Sequence, residues 1–103
     1  MSDRLNLQAK FEEILGSRNV YFQPPASVSM RYPAIRYELK EFRNRSANNS
    51  SSYISSTGYE CIYISKDPAG EDFLKAMLQI PYCHFVRYYR AENLHHYTFT
   101  IYQ

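Results

Sequence analysis

Tyr59-Glu-Cys-Ile-Tyr-Ile-Ser65 is an apolar run, and the break Lys66-Asp-Pro68 follows it. A helical pattern then runs from Glu71 to Ile80 and stops at Pro81. Next come Tyr82-Cys-His-Phe-Val-Arg-Tyr-Tyr-Arg90, the polar corner Ala91-Glu-Asn-Leu94, and Tyr97-Thr-Phe-Thr-Ile-Tyr102. The periodicities predict strand, helix, strand, turn, strand. Tyr59–Ser65 is apolar on both faces, which suits an inner strand. In the helix, Phe73, Met77 and Ile80 form one stripe, with Leu74 and Leu78 beside it. The last two strands, about Cys83–Arg90 and Tyr97–Tyr102, are joined too closely for a crossover helix, so they pair antiparallel. Tyr97, Phe99 and Ile101 are expected to face inward, and Thr98, Thr100 and Tyr102 outward. Phe73 and Met77 are expected against Phe99 and Ile101.

Everything upstream must supply more strands and a second helix to close this core. Asp3–Leu15 supplies the helix: Leu7, Phe11, Ile14 and Leu15 share one face. Ser2 is placed to cap it and Gly16 to end it. Val20-Tyr-Phe22 is a short strand cut off by Pro24-Pro25. Ile35, Tyr37 and Leu39 alternate with Arg36, Glu38 and Lys40, so one face of that strand is buried and the other is wet. Residues 43–57 are polar and hold no acid. They read as a long hairpin loop or an extended arm, and loops of that length are usually functional or disordered. The predicted fold is an α+β two-layer sandwich. An antiparallel or mixed sheet of about five strands carries two helices on one face, in the order α-β-β-β-α-β-β.

Composition sets bounds on function. A chain of 103 residues is a single domain. It holds 11 Tyr and no Trp, and 17% of it is aromatic, which favours half-buried pleated surfaces. The formal charge of +2 does not by itself argue for nucleic acid. Cys61 and Cys83 lie in strand patterns and are expected to be buried free thiols, as in a reducing cytoplasm. The opening Met1-Ser-Asp-Arg-Leu5 is polar, so no signal peptide is expected. No apolar run approaches the ~20 residues of a membrane span, and no membrane partner is expected.

Catalytic constellations do not stand out. His95 and His96 are adjacent in a strand and point to opposite faces. Cys83, His84 and His95 lack the spacing of a metal site. There is no Gly-rich phosphate loop and no nucleophile elbow. The chain is therefore not expected to be an enzyme or to need a metal or other cofactor. Basic residues do gather at Arg31, Arg36, Lys40, Arg43 and Arg45, offset only by Glu38 and Glu41.

Several stretches carry a resemblance: Asn19-Val-Tyr-Phe-Gln-Pro-Pro25, Met30-Arg-Tyr-Pro-Ala-Ile35, Ile64-Ser-Lys-Asp-Pro68, Leu78-Gln-Ile-Pro-Tyr-Cys-His-Phe85 and Ala91-Glu-Asn-Leu-His-His-Tyr-Thr-Phe99. Together they resemble the small neck and tail-completion proteins of long-tailed bacteriophages. The resemblance runs from Leu5 to Tyr102, with residues 43–56 its least specific part.

It implies a small α+β sandwich with a long β-hairpin or loop. It also implies a structural virion protein, formed in the host cytoplasm and resident in the neck. The subunits would form a ring, commonly a hexamer, that caps the tail tube protein and meets the head connector or head-closure protein. DNA would pass through the lumen without sequence specificity. A tail terminator fits better than a head-closure adaptor. A non-viral interaction module and a small nucleic-acid-binding protein are the other readings. The candidates for a subunit interface or lumen lining are Arg36, Lys40, Arg43, Arg45, Asn48, Asn49 and Tyr53.

Overall fold

The structure, a computed structural model, describes residues 3–25, 27, 29–46 and 52–103, with backbone alone at 43–46 and 52–56. The elements are α1 (Asp3–Leu15), β1 (Val20–Phe22), β2 (Ala34–Ser46), β3 (Ser52–Ser65), α2 (Glu71–Leu78), β4 (Cys83–Ala91) and β5 (Leu94–Tyr102). The five strands form one mixed sheet in the order β1-β2-β3-β5-β4. β1 runs parallel to β2, and every other pairing is antiparallel. The fold is α+β, with the element order that the periodicities predict. β3 is the central strand, as its apolar character on both faces requires.

The core lies between the sheet and the helices. Leu7 and Phe11 of α1 are buried, and Ile14 and Leu15 pack at its margin. Gly16 ends α1 at φ 76°, its N–H donating to the Glu12 carbonyl at 2.9 Å. That left-handed position is one glycine adopts without a steric penalty. Ser2 lies outside the described residues. Met77 of α2 and Ile80, just past the end of the helix at Leu78, are buried in the same cluster as Phe99 and Ile101. Phe73 is only half-buried, and its ring stacks on Tyr63 at 4.0 Å. The expected inner stripe is thus correct, but Phe73 reaches β3, one strand nearer the middle of the sheet.

α1 is fixed to the sheet by polar contacts as well as packing. The Tyr37 ring is fully buried and meets Phe11 edge-on, the centroids 5.1 Å apart. Its hydroxyl donates to Gln8 Oε1 and accepts from Arg4 Nη1 at 3.2 Å. Gln8 Nε2 in turn donates to the Val20 carbonyl at 3.2 Å. The Arg4 guanidinium lies 4.4 Å from the Phe22 ring centroid. One helix, β1 and β2 thus share a single polar pin.

Three details depart from simple alternation. Lys40 is an extra residue in β2: Leu39 pairs with Tyr59, and Glu41 with Gly58. This bulge, together with the end of β1 at Phe22, leaves Leu39 exposed rather than buried. Thr98 and Thr100 face outward as expected, yet they are only 5% and 6% exposed. Their cross-strand neighbours, Ile62 and Arg87 for one and Glu60 and His84 for the other, are long enough to cover them. Finally, strand enters the polar stretch 43–57 from both ends. β2 continues to Ser46 and β3 begins at Ser52. A backbone ladder needs no apolar side chain, so composition hid it.

Tyr37→Phe removes one oxygen and no packing, but it leaves Gln8 and Arg4 without a buried partner. We expect a loss of about 1–3 kcal/mol, read as a lower thermal midpoint. An unchanged midpoint would show that α1 is held by apolar contact alone.

Candidate functional site

Two features of the sheet stand apart from the core: an arm and a free edge. The arm is the distal half of the β2–β3 hairpin. β5 accompanies β3 from Ser65 only as far as Gly58, with Thr57 and Gln103 exchanging backbone hydrogen bonds at 2.7 and 2.9 Å. Beyond that point Arg43 pairs with Ser56, Asn44 with Ile54, Arg45 with Tyr53 and Ser46 with Ser52. The register skips Ser55, a second bulge, and bulges increase local twist. The molecule measures 52 × 31 × 26 Å, elongated as a projecting hairpin requires.

The root of the arm is closed by three strands at once. Tyr102 Oη of β5 donates to Glu41 Oε1 of β2 at 2.9 Å. The contact crosses Gly58 of β3, where an added Cβ would lie 2.9 Å from Glu41 Cγ and 3.0 Å from Tyr102 Cε1. Glycine therefore lets the ring and the carboxylate close over the strand. Beside this closure, Phe42 is 57% exposed.

The sequence-derived candidates separate into groups. Arg36 lies half-buried on the sheet face opposite the helices, in one row with Ile62, Thr98 and Arg87. The next row holds Glu38 and Glu60, directly opposed, followed by Thr100 and His84. Like charges so placed repel, and they balance the neighbouring arginines. Lys40, expected to share this face with Arg36 and Glu38, is the bulge residue, and the alternation passes to Glu41 instead. This face is therefore mixed in charge rather than a basic strip. Arg43, Arg45 and Tyr53 lie on the arm, the first opposite Ser56 and the other two opposite one another. Asn48 and Asn49 lie outside the described residues.

Sequence reasoning missed the other feature, the outer edge of β4. Nine residues, Cys83–Ala91, pair on one side with β5 and on the other with no strand among the described residues. Phe85, Val86 and Tyr88 are exposed, as are Leu78 and Tyr82 just before the strand. A long apolar edge strand is a surface that soluble monomers usually avoid. A signal was present: β4 alternates aromatic and basic residues and contains no acid.

Chemical groups elsewhere are satisfied. A cleft of about 240 Å³ lies along Tyr32, Pro33, Tyr63 and residues 65–70. Its polar walls bond one another: Ser65 Oγ donates to the Asp67 carbonyl, and the Ala69 N–H donates to Tyr97 Oη at 2.9 Å. Among the described residues no group of His, Cys, Asp and Glu could hold a metal ion. Cys83 and His84, adjacent on β4, point to opposite faces. Comparison of the sequence with known protein families and with characterised proteins finds no match.

Cys61 and Cys83 are free and buried. Burial pushes the Cys61 thiol well above its ordinary value and raises that of Cys83 to about 11. Both should resist alkylation in the native protein and react once the chain is unfolded. A thiol whose folded value is raised contributes stability below its unfolded value, near 9.0, and loses it as pH rises through about 11. Burial shifts Tyr37 and Tyr63 in the same direction. The thermal midpoint should therefore fall from about pH 9 upward. Rapid alkylation of the native protein near neutral pH would contradict the burial of these thiols.

Proposed function

We propose that the chain is a ring-forming structural protein of a bacteriophage neck, acting as a tail terminator. It would cap the tail tube, join it to the head connector and let DNA pass through the lumen. In this reading the protein is made in the host cytoplasm, resides in the virion and performs no catalysis.

The observation that carries the reading is the arm. A polar two-stranded hairpin stands beyond the sheet, and its described strands pair only with each other. An element whose described backbone pairs only within itself is suited to reach another molecule. In a closed heterologous assembly, each subunit reaches the next in the same way, and the arms form a continuous belt. The resemblance of the sequence to neck proteins, with their small sandwich and long hairpin, agrees with this geometry. The mixed charge of the Arg36 face leaves Arg43 and Arg45 as the cations best placed to repeat around a lumen. Repeated weak cations would give salt-sensitive contact with phosphates without a grip that stalls DNA.

The test shortens the arm. Residues 44–55 are replaced by Asn-Gly, a two-residue turn that suits a tight hairpin. The variant should keep the thermal midpoint of the parent, because the removed stretch is largely polar in sequence and its described backbone pairs only within the hairpin. The parent, imaged with tail tubes, should form hexameric rings at the tube ends, and the variant should form none. A parent that stays monomeric with both tail tubes and head connectors would overturn the proposal. So would a shortened variant that assembles normally.

A further inference from the structure

The outer edge of β4 has a chemistry of its own. The β-ladder places Phe85, Tyr88 and Arg90 on the helix side of the sheet, and His84, Arg87 and Tyr89 on the opposite side. On the helix side Phe85 and Tyr88 are 46% and 45% exposed. Tyr82 precedes the strand at φ 59° and is 74% exposed. A bulky residue in the left-handed region carries backbone strain, here spent on presenting a ring to solvent. On the opposite side the exposed Arg87 makes no ion pair among the described residues, and on the helix side neither does Arg90.

Two ligand classes suit an edge of arginines and aromatics: single-stranded nucleic acid and extended peptide. Nucleic acid needs free ring faces for stacking. On the strand itself the two tyrosine rings are already engaged. Tyr89 stacks on His96 at 4.7 Å, and the Arg87 guanidinium lies 4.8 Å from the same ring. Tyr88 stacks on His95 at 5.8 Å and leans on Tyr97 at 5.0 Å. The Tyr88 hydroxyl is bound to His95 Nδ1 at 2.6 Å. Tyr88 and Tyr89 therefore form a wall rather than a pair of open platforms, and Tyr82 alone is too few for a run of stacked bases. What remains free is the backbone edge, and that takes a strand.

We propose that the outer edge of β4 docks an extended segment of another protein, added as a sixth strand, whose residues alternate between apolar and acidic. Its apolar side chains would lie against Phe85 and Tyr88 on the helix side. Its carboxylates would lie beside Arg87 and His84 on the other. A second copy of the chain fits poorly, because β4 carries no acid to meet its own arginines and the arm strand 43–46 carries two arginines and no acid. The inference does not depend on the neck reading.

The test uses the full chain and a synthetic nine-residue peptide alternating valine and glutamate, with binding followed by anisotropy. The peptide should bind saturably, and its valine–lysine counterpart about tenfold more weakly or not at all. N-methylation of the amides on one edge of the peptide should abolish binding, while methylation of the other edge should spare it. The double variant His84→Glu with Arg87→Glu should reverse the preference between the two peptides and keep the parent thermal midpoint. The proposal is overturned by absence of saturable binding, by indifference to peptide charge, or by equal effects of the two methylation patterns. It is equally overturned if a thymidine oligonucleotide competes for the edge, or if sedimentation shows the chain pairing with itself through β4.

Discussion

The hydroxyl of Tyr37 is the contact on which the arrangement of the layers depends. A phenol taken out of water without partners would be costly, and here both a donor and an acceptor are supplied from α1. The helix is therefore set in rotation and height as well as buried. Leu7 and Phe11 could pack on the sheet in several ways, because apolar contact has no direction. Arg4 and Gln8 can reach Tyr37 in only one. The Gln8 bond to the Val20 carbonyl then ties the same point to β1. A three-residue parallel edge strand has little ladder of its own to hold it.

From that fixed corner the sheet extends in two unequal directions. Toward β1 it closes early, with Gln23 Oε1 accepting from the Leu39 N–H at 3.1 Å where the short strand gives out. Along the β2–β3 hairpin it does not close. Past Gly58 the two strands leave β5 behind, and the Glu41–Tyr102 bond ties the root across β3. Two bulges follow within a few residues of one another, one on each strand. Bulges add local twist, so the course of the arm is tuned at Lys40 and Ser55 rather than in the core.

The sequence made the core legible because its periods are clean. Leu7, Phe11, Ile14 and Leu15 could only be one helical face, and Ile35 with Tyr37 could only be one strand face. Both α1 limits and the three residues of β1 followed from caps and prolines. The arm was less legible because Ser, Asn and Thr satisfy a ladder without leaving a hydrophobic pattern. Lys40 was misplaced for a different reason. A bulge changes no composition, but it moves every later residue to the other face. The exposure of β4 was hidden because apolar residues in a strand pattern do not say whether a neighbour covers them. Strand order shows that, among the described residues, no strand lies beyond β4.

Strand order also gives the β4 edge its meaning. A protein can protect such an edge with charge, and Arg87 and the irregularity at Val86 do part of that. Protection does not require Tyr82, Phe85, Val86 and Tyr88 to be solvent-exposed on the same strand edge. Cation and aromatic together exclude a basic partner while favouring an acidic one, which is selection rather than simple avoidance. The arm has the opposite character. Apart from Tyr53 and Ile54 its described strands are polar, and their only charges are two arginines. A surface made to be filled and an element made to reach therefore occupy different parts of one small sheet. Since both are basic, neither is the natural complement of the other. On the two proposals, contacts through the arm and contacts through β4 therefore call for partners of different chemistry.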